Sequence, residues 1–232
     1  MSNLAATPEG AVPRIPALAF APRATTLTGR VVRLEPLGAV HAEGLLSAGH
    51  HEELWRVTVQ PPLASAVAVA RYLAQAAEQA ARGEEVPFAV ISCDTGLVIG
   101  STRWMDIARP HRRLEIGGTW LTPAAQRTLA NTEAKFLQLA HLFDVLGAVR
   151  VQFKTDLRNT QSQRALDKLG AIREGVLRRH MVVRDGFVRD SVYYGITDID
   201  WPGVKRRLQE RMQTTGNTQQ QQQQQQPEHG DH

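Results

Sequence analysis

LEIGGTWLTPAAQRTLANTEAK, residues Leu114–Lys135, runs from an apolar strand carrying one carboxylate, through a polar turn, into a helix. The first-turn amides of such a helix lack intrahelical acceptors, and the helix dipole adds partial positive charge to them. The backbone N–H groups of Gln126, Arg127, Thr128, Leu129, Ala130, Asn131 and Thr132 can therefore hold a phosphate without a dedicated basic residue, with the Arg127 side chain adding charge. Asn131 is a favoured N-cap and is read as opening the helix that starts at Thr132. Glu133 lies in the same first turn, so it must face away from a bound phosphate or oppose it.

On the N-terminal side, VVRLEPL (Val31–Leu37) alternates like a strand and a helical stretch follows from Ala39. Ala68–Arg82 places Val69, Tyr72, Leu73, Ala76 and Ala80 on one helical face and stops at Gly83. PFAVISC and LVIGSTRWMDI flank the turn Asp94–Gly96 and read as a hairpin, and Arg113–Leu121 makes the next strand. Phe136, Leu139, Phe143 and Leu146 line a helix closed by Gly147. A strand over Ala148–Lys154 leads to a helix over Thr160–Leu169 capped by Gly170, then a strand pair spanning Ala171–Ile196. Asp200 is placed to cap a last helix through Arg211.

A second segment, RNTQSQRALDKLGAIREG (Arg158–Gly175), repeats the strand-to-helix logic one short strand later. Ser162 falls in the first turn of its helix, three residues after Asn159. Local capping by Asn159 or Thr160 is the bland account of that spacing.

The LEIG strand, the NTEAK helix start, the RNxxSxRAL helix, LGAxREGVLRRH and the closing DIDWPGVKRRL occur in one order between about Gly29 and Leu208. Together they resemble the GNAT N-acetyltransferases, in particular the Rim-like branch that acetylates ribosomal-protein N-termini. The resemblance implies an α/β GNAT fold: a mixed, mostly antiparallel sheet of about seven strands flanked by helices and splayed between strands four and five. It implies acetyl-CoA, or succinyl-CoA, as cosubstrate without a metal. The pantetheine arm would bond to the backbone of Trp120, Leu121 and Thr122 and to Asn159, and the pyrophosphate to Gln126–Thr132. Glu115 would be the base and Ser162 the acid for the leaving thiolate, with Tyr193 and Tyr194 as fallback acids. Two positions depart from the family's loop pattern, Leu129 and Asn131 standing where small residues are usual, and Leu129 is read as restricting close approach and positive φ.

Two features of Glu115 stand apart from the resemblance. A carboxylate between apolar Leu114 and Ile116 is expected to be desolvated toward neutral pKa, which suits a base. The alternative is a structural ion pair with Arg103 or Arg112.

The chain has 232 residues, 42% of them hydrophobic, which is enough for one full core. The reading is an acetyltransferase domain over 29–212 between an Ala/Pro-rich tail, 1–28, and a Gln-rich tail, 213–232, neither able to bury a core. His229 and His232 in that second tail are read as incidental rather than metal ligands. No run is long and apolar enough for a membrane helix and no signal core opens the chain, so a cytoplasmic location is expected. The single Cys93 excludes an internal disulfide and reads as an inert thiol on a strand. The formal charge of +4 is carried by arginines scattered among acids, without a nucleic-acid motif, which disfavours nucleic acid as the primary partner.

The acceptor is read as a primary amine, either a peptide N-terminus or a small molecule, in a ternary complex, and a homodimer stays open. It is expected to enter over Gly49–Ser65 and the hairpin tip Arg184–Phe187, with Trp55, Trp104 and His180 as wall residues. Two other classes remain: a CoA-binding module without catalysis, and a ribosome- or RNA-associated interaction protein.

Overall fold

The computed structural model describes residues 20–224 except 57 and 185. Residues 1–19 and 225–232, most of the expected N-terminal tail and the end of the C-terminal one with His229 and His232, lie outside the described residues.

Among the described residues eight strands form one sheet: β1 (Leu27–Thr28), β2 (Val32–Pro36), β3 (Val86–Ser92), β4 (Val98–Ala108), β5 (Arg113–Leu121), β6 (Arg150–Asp156), β7 (Ile172–Val182) and β8 (Val188–Thr197). Their spatial order is β1-β2-β3-β4-β5-β6-β8-β7, and the β5–β6 pair alone is parallel. The extra strand beyond the expected seven is β1, two residues paired with Leu34 and Arg33. It begins inside the segment composition assigned to the tail. Phe20 joins the core at 4% exposure, so the fold starts before Gly29.

Among the described residues the sheet is accompanied by five α-helices, α1 (Ala42–Gly49), α2 (Ala66–Ala81), α3 (Leu129–Ala140), α4 (Thr160–Leu169) and α5 (Trp201–Gln224). Ser65 caps α2 by accepting from the Ala68 N–H, and Gly170 closes α4 in the left-handed conformation. The last helix runs well past Arg211 to Gln224, into the Gln tract. Asp200 accepts the first helical bonds of α5 with its carbonyl, but its side chain turns back to the Thr197 N–H and hydroxyl at 2.9 and 2.6 Å.

Two cores result. The larger one holds Phe88, Trp104, Leu114, Ile116, Val151, Phe153, Val192, Tyr194 and Ile196 against residues of α3 and α5. The smaller sits between α1, α2 and the other sheet face, around Leu45, Trp55, Leu63, Tyr72 and Trp120. Strand alternation thus divides β5: Leu114 and Ile116 enter the large core and Glu115 points to the opposite face.

Candidate active site

The parallel pairing of β5 with β6 covers three positions, Arg113↔Arg150, Leu114↔Val151 and Glu115↔Gln152, and then stops. Both strands continue, β5 to Leu121 and β6 to Asp156, so a gap opens between them just beyond Glu115. A bulge explains the divergence. The β4–β5 register shifts between Ser101 and Arg103, and opposite it Gly118 has φ of +55°, a conformation open to glycine at little cost.

Past the bulge the antiparallel alternation assigns each backbone group a side. The Thr122 N–H donates to the Ile99 carbonyl at 2.8 Å, so Thr122 and, two residues earlier, Trp120 direct their backbone toward β4. Leu121 faces the gap. Of the three residues expected to present backbone to a pantetheine arm, Leu121 alone turns its backbone to the gap, and the Trp120 side chain packs 5.1 Å from Trp55 in the smaller core. The Leu121 carbonyl accepts from the Gln126 side-chain amide at 3.0 Å, and the Gln126 oxygen accepts from Gln161 Nε2 at 3.0 Å. Gln126 therefore ties the end of β5 to the first turn of α4 across the gap.

The turn into α3 differs in detail from its reading in sequence. The N-cap is Thr128, whose hydroxyl accepts from the Ala130 N–H at 3.1 Å and donates to the Ala125 carbonyl at 2.7 Å. The helix begins at Leu129, three residues before the expected start, with Asn131 inside its first turn. Positive φ falls on Arg127 at 61°, not on Leu129, which is buried in helical conformation. The missing small residue at Leu129 therefore imposes no left-handed strain. The Gln126 N–H is already bonded to the Thr122 and Pro123 carbonyls, and Thr132 has moved past the orphan positions of the helix start. The amides left for an anion are those of Arg127, Thr128, Leu129 and Asn131, with Ala130 shared with its cap. Glu133 faces away as required: its carboxylate accepts from the Arg30, Val31 and Val32 N–H groups at 2.9, 2.6 and 2.7 Å.

Glu115 is 3% exposed, and burial pushes its pKa up against the opposing charge of Lys154 and the hydrogen bond from Gln152. Its partner is Lys154, Nζ at 3.5 Å, rather than Arg103 or Arg112. Arg103 is instead paired with Glu85 at 2.9 Å over the Tyr72 ring, and Arg112 donates to the Leu146 carbonyl. Gln152 bridges Glu115 at 3.5 Å and Asp106 at 3.0 Å.

Cross-strand pairing puts Gln152 and Lys154 of β6 and Tyr193 and Ser191 of β8 on the Glu115 face. His180 joins them from β7, Nδ1 at 3.0 Å from the Ser191 hydroxyl and Nε2 at 3.5 Å from the Tyr193 hydroxyl. Burial, then Lys154 and Arg189, hold the His180 pKa below its ordinary value, while burial and the nearby Glu115 and Asp106 raise that of Tyr193. Tyr194 points the other way into the large core, as does Trp104, which stacks on His141. Of the expected wall residues, His180 is the one that meets Tyr193, near the Glu115 partner Lys154.

Asn159 caps α4, Oδ1 accepting from the Ser162 N–H at 3.0 Å. Capping uses the Asn159 oxygen and leaves its amide and the Ser162 hydroxyl available. Because Gln161 of the same turn reaches Gln126, these groups border the gap from the side opposite Glu115. Among the described residues no helix is long and apolar enough to cross a membrane, and no His/Cys/Asp/Glu cluster could hold a metal ion.

Residues 32–172 match the family model described as an acetyltransferase (GNAT) domain. A GCN5-related N-acetyltransferase from Brucella melitensis is 32% identical over 83% of this chain and 87% of its own, with a TM-score of 0.79. A provisionally assigned acetyltransferase from T. thermophilus is 40% identical over 82% and 97%, with a TM-score of 0.73. Mycobacterium smegmatis RimJ, solved with CoA-disulfide, shares the fold at 23% identity over 81% and 93%, with a TM-score of 0.65. No curated protein matches the chain.

Proposed function

The chain belongs to the GNAT acetyltransferase family, whose members transfer an acyl group from acetyl-CoA, and we infer that its acceptor is a primary amine attacked beside Glu115. The observation that carries this reading is the gap: Glu115 is the last residue of β5 paired with β6, at the mouth of the splay between the two strands. In this reading the pyrophosphate lies on the amides of Arg127 to Asn131 and the pantetheine arm runs along Leu121, displacing the Gln126 amide from its carbonyl. Asn159 donates to the arm from α4.

The chemistry then distributes over the chain's own groups. The amine nitrogen attacks the thioester carbonyl carbon while Glu115, directly or through one water, takes its proton. The C–N bond forms, the C–S bond breaks, and Ser162 donates a hydrogen bond to the departing thiolate and relays to it a proton taken from solvent. A raised pKa suits Glu115 to the first task, since a base is most effective when its pKa nears the working pH. Lys154 keeps the raised carboxyl from staying protonated. The acyl group is acetyl, with succinyl as the competing donor, and the Rim-like motifs favour a peptide N-terminus over an unrelated small amine. Thiol release from acetyl-CoA and from succinyl-CoA, against N-terminal peptides and small amines, tests donor and acceptor together.

A further inference from the structure

The polar face beside Glu115 holds one cation that the transfer described above does not use. Arg189 of β8 is 7% exposed, and Nε donates to the Ser191 hydroxyl at 2.9 Å. Its other guanidinium nitrogens make no hydrogen bond or ion pair among the described residues. Asp156, the natural partner, is itself buried but taken by Arg158: Oδ1 accepts from the Arg158 N–H and Nε at 2.8 and 3.0 Å, and Oδ2 accepts from Nη2 at 2.8 Å. The residue is buried as a whole, yet its terminal nitrogens are not among the enclosed polar atoms left without a partner, so they keep solvent access and can be met by a ligand from outside.

Its placement bears on what that ligand is. Arg189, Ser191 and Tyr193 alternate onto a single face of β8, and Tyr193 pairs with Lys154, the neighbour of Glu115. Burial weakens the Arg189 charge while Asp156 and Glu115 support it, so the guanidinium and the base share one electrostatic neighbourhood. His180 fixes Ser191, and Ser191 fixes the guanidinium plane. Two cations, Lys154 and Arg189, thus stand on the sheet face that carries the Glu115 carboxylate.

We propose that Arg189 receives a carboxylate carried by the acceptor, so that the enzyme prefers amines bearing an anionic group over neutral amines and polyamines. A planar guanidinium with free terminal donors binds a carboxylate through two parallel hydrogen bonds, which orients the amine as well as attracting it. The proposal rests on the reading that the acceptor amine reacts beside Glu115. Its carboxylate has two sources, the α-carboxylate of a free amino acid or an acidic side chain near a peptide N-terminus.

The test measures kcat/KM with acetyl-CoA for matched pairs: L-alanine against L-alaninamide, and Ala-Glu-amide against Ala-Gln-amide. The wild-type protein should favour the carboxylate member of one pair roughly 10- to 100-fold, mainly through KM, and which pair responds identifies the source. Arg189→Gln should erase that preference while leaving the neutral member within about threefold, and Arg189→Lys should restore part of it. Equal kcat/KM within both pairs for the wild-type protein overturns the proposal even if the variants fail to fold, and so does an equal loss on both members in Arg189→Gln. Absence of transfer to every amine offered would instead refute the acceptor reading beneath it.

Discussion

Lys135 is a buried cation whose burial predicts a measurable pH dependence of stability. It sits on α3 at 6% exposure, donating to the Thr119 hydroxyl at 2.6 Å and to Thr102 at 3.4 Å, beneath the bulge that opens the gap. No carboxylate is within ion-pair distance among the described residues, and desolvation lowers its pKa from 10.5 to about 7. Because the folded-state pKa is depressed, the unfolded chain binds a proton that the folded chain refuses between pH 7 and 10.5. Stability must rise with pH across that window. At pH 7 the cost is on the order of 4 kcal/mol, and about 2 kcal/mol of it is recovered by pH 9. Lys135→Met fills similar volume without the charge, so it should stabilise the fold at pH 7 by roughly 2 kcal/mol after the lost Thr119 hydrogen bond is allowed for. Urea unfolding of both proteins at pH 7, 8 and 9 reads this directly. Flat or falling wild-type stability over that range, or a Lys135→Met protein less stable at pH 7, would show that burial of the ammonium carries no such cost.

Lys154→Met removes the charge that opposes desolvation of Glu115, so the acidic limb of kcat/KM should move to higher pH; a limb that stays in place or moves down counts against Glu115 as the titrating base. Phe20→Ala should cost about 3 kcal/mol in a denaturant titration, because Phe20 fills the large core; a change under about 0.5 kcal/mol would show that the segment before Gly29 is dispensable. Leu129→Gly should weaken the fold by roughly 1 to 3 kcal/mol and leave CoA affinity unimproved, since Leu129 is a buried helical residue; tighter CoA binding by calorimetry would revive the idea that a small residue is needed there.

The parts of the site visible in sequence are local ones. An alternating strand with one acid, followed by a turn and a helix, locates Glu115 and the anion turn, and the Asn159-to-Ser162 spacing locates the α4 cap. Residue preference misplaces the N-cap of α3 because Thr128 and Asn131 are both good caps three residues apart, and the choice depends on the left-handed φ of Arg127, which no preference announces. Lys154 and Gln152 escape a sequence reading for a different reason. They reach Glu115 through the β5–β6 pairing, and Arg189 joins their face through the β6–β8 and β7–β8 pairings; register between distant strands is a tertiary outcome. Likewise the need of Glu133 for another partner is legible, but that it captures the backbone of Arg30–Val32 is a contact across about a hundred residues. The split of roles among Trp120, Leu121 and Thr122 follows from the bulge at Gly118, and two adjacent glycines in the sequence do not reveal which of them bends the strand.

A base at Glu115 and an acid at Ser162 make different demands on pH, because an amine that has lost its proton to solvent no longer needs the base, whereas the departing thiolate takes a proton until the pH passes the thiol pKa, about 8.5 for an ordinary thiol. Thiol release from acetyl-CoA with a saturating amine acceptor, measured from about pH 6 to 10 for the wild-type protein, Glu115→Gln and Ser162→Ala, separates the two roles. Glu115→Gln should be slower by roughly 10- to 1000-fold at neutral pH, with the loss shrinking as pH rises and solvent deprotonates the amine, while the Ser162→Ala loss should hold until the pH passes the thiol pKa, about 8.5. Equal, pH-independent losses in both variants would contradict the separate roles, and unchanged turnover in Glu115→Gln would contradict the placement of the base.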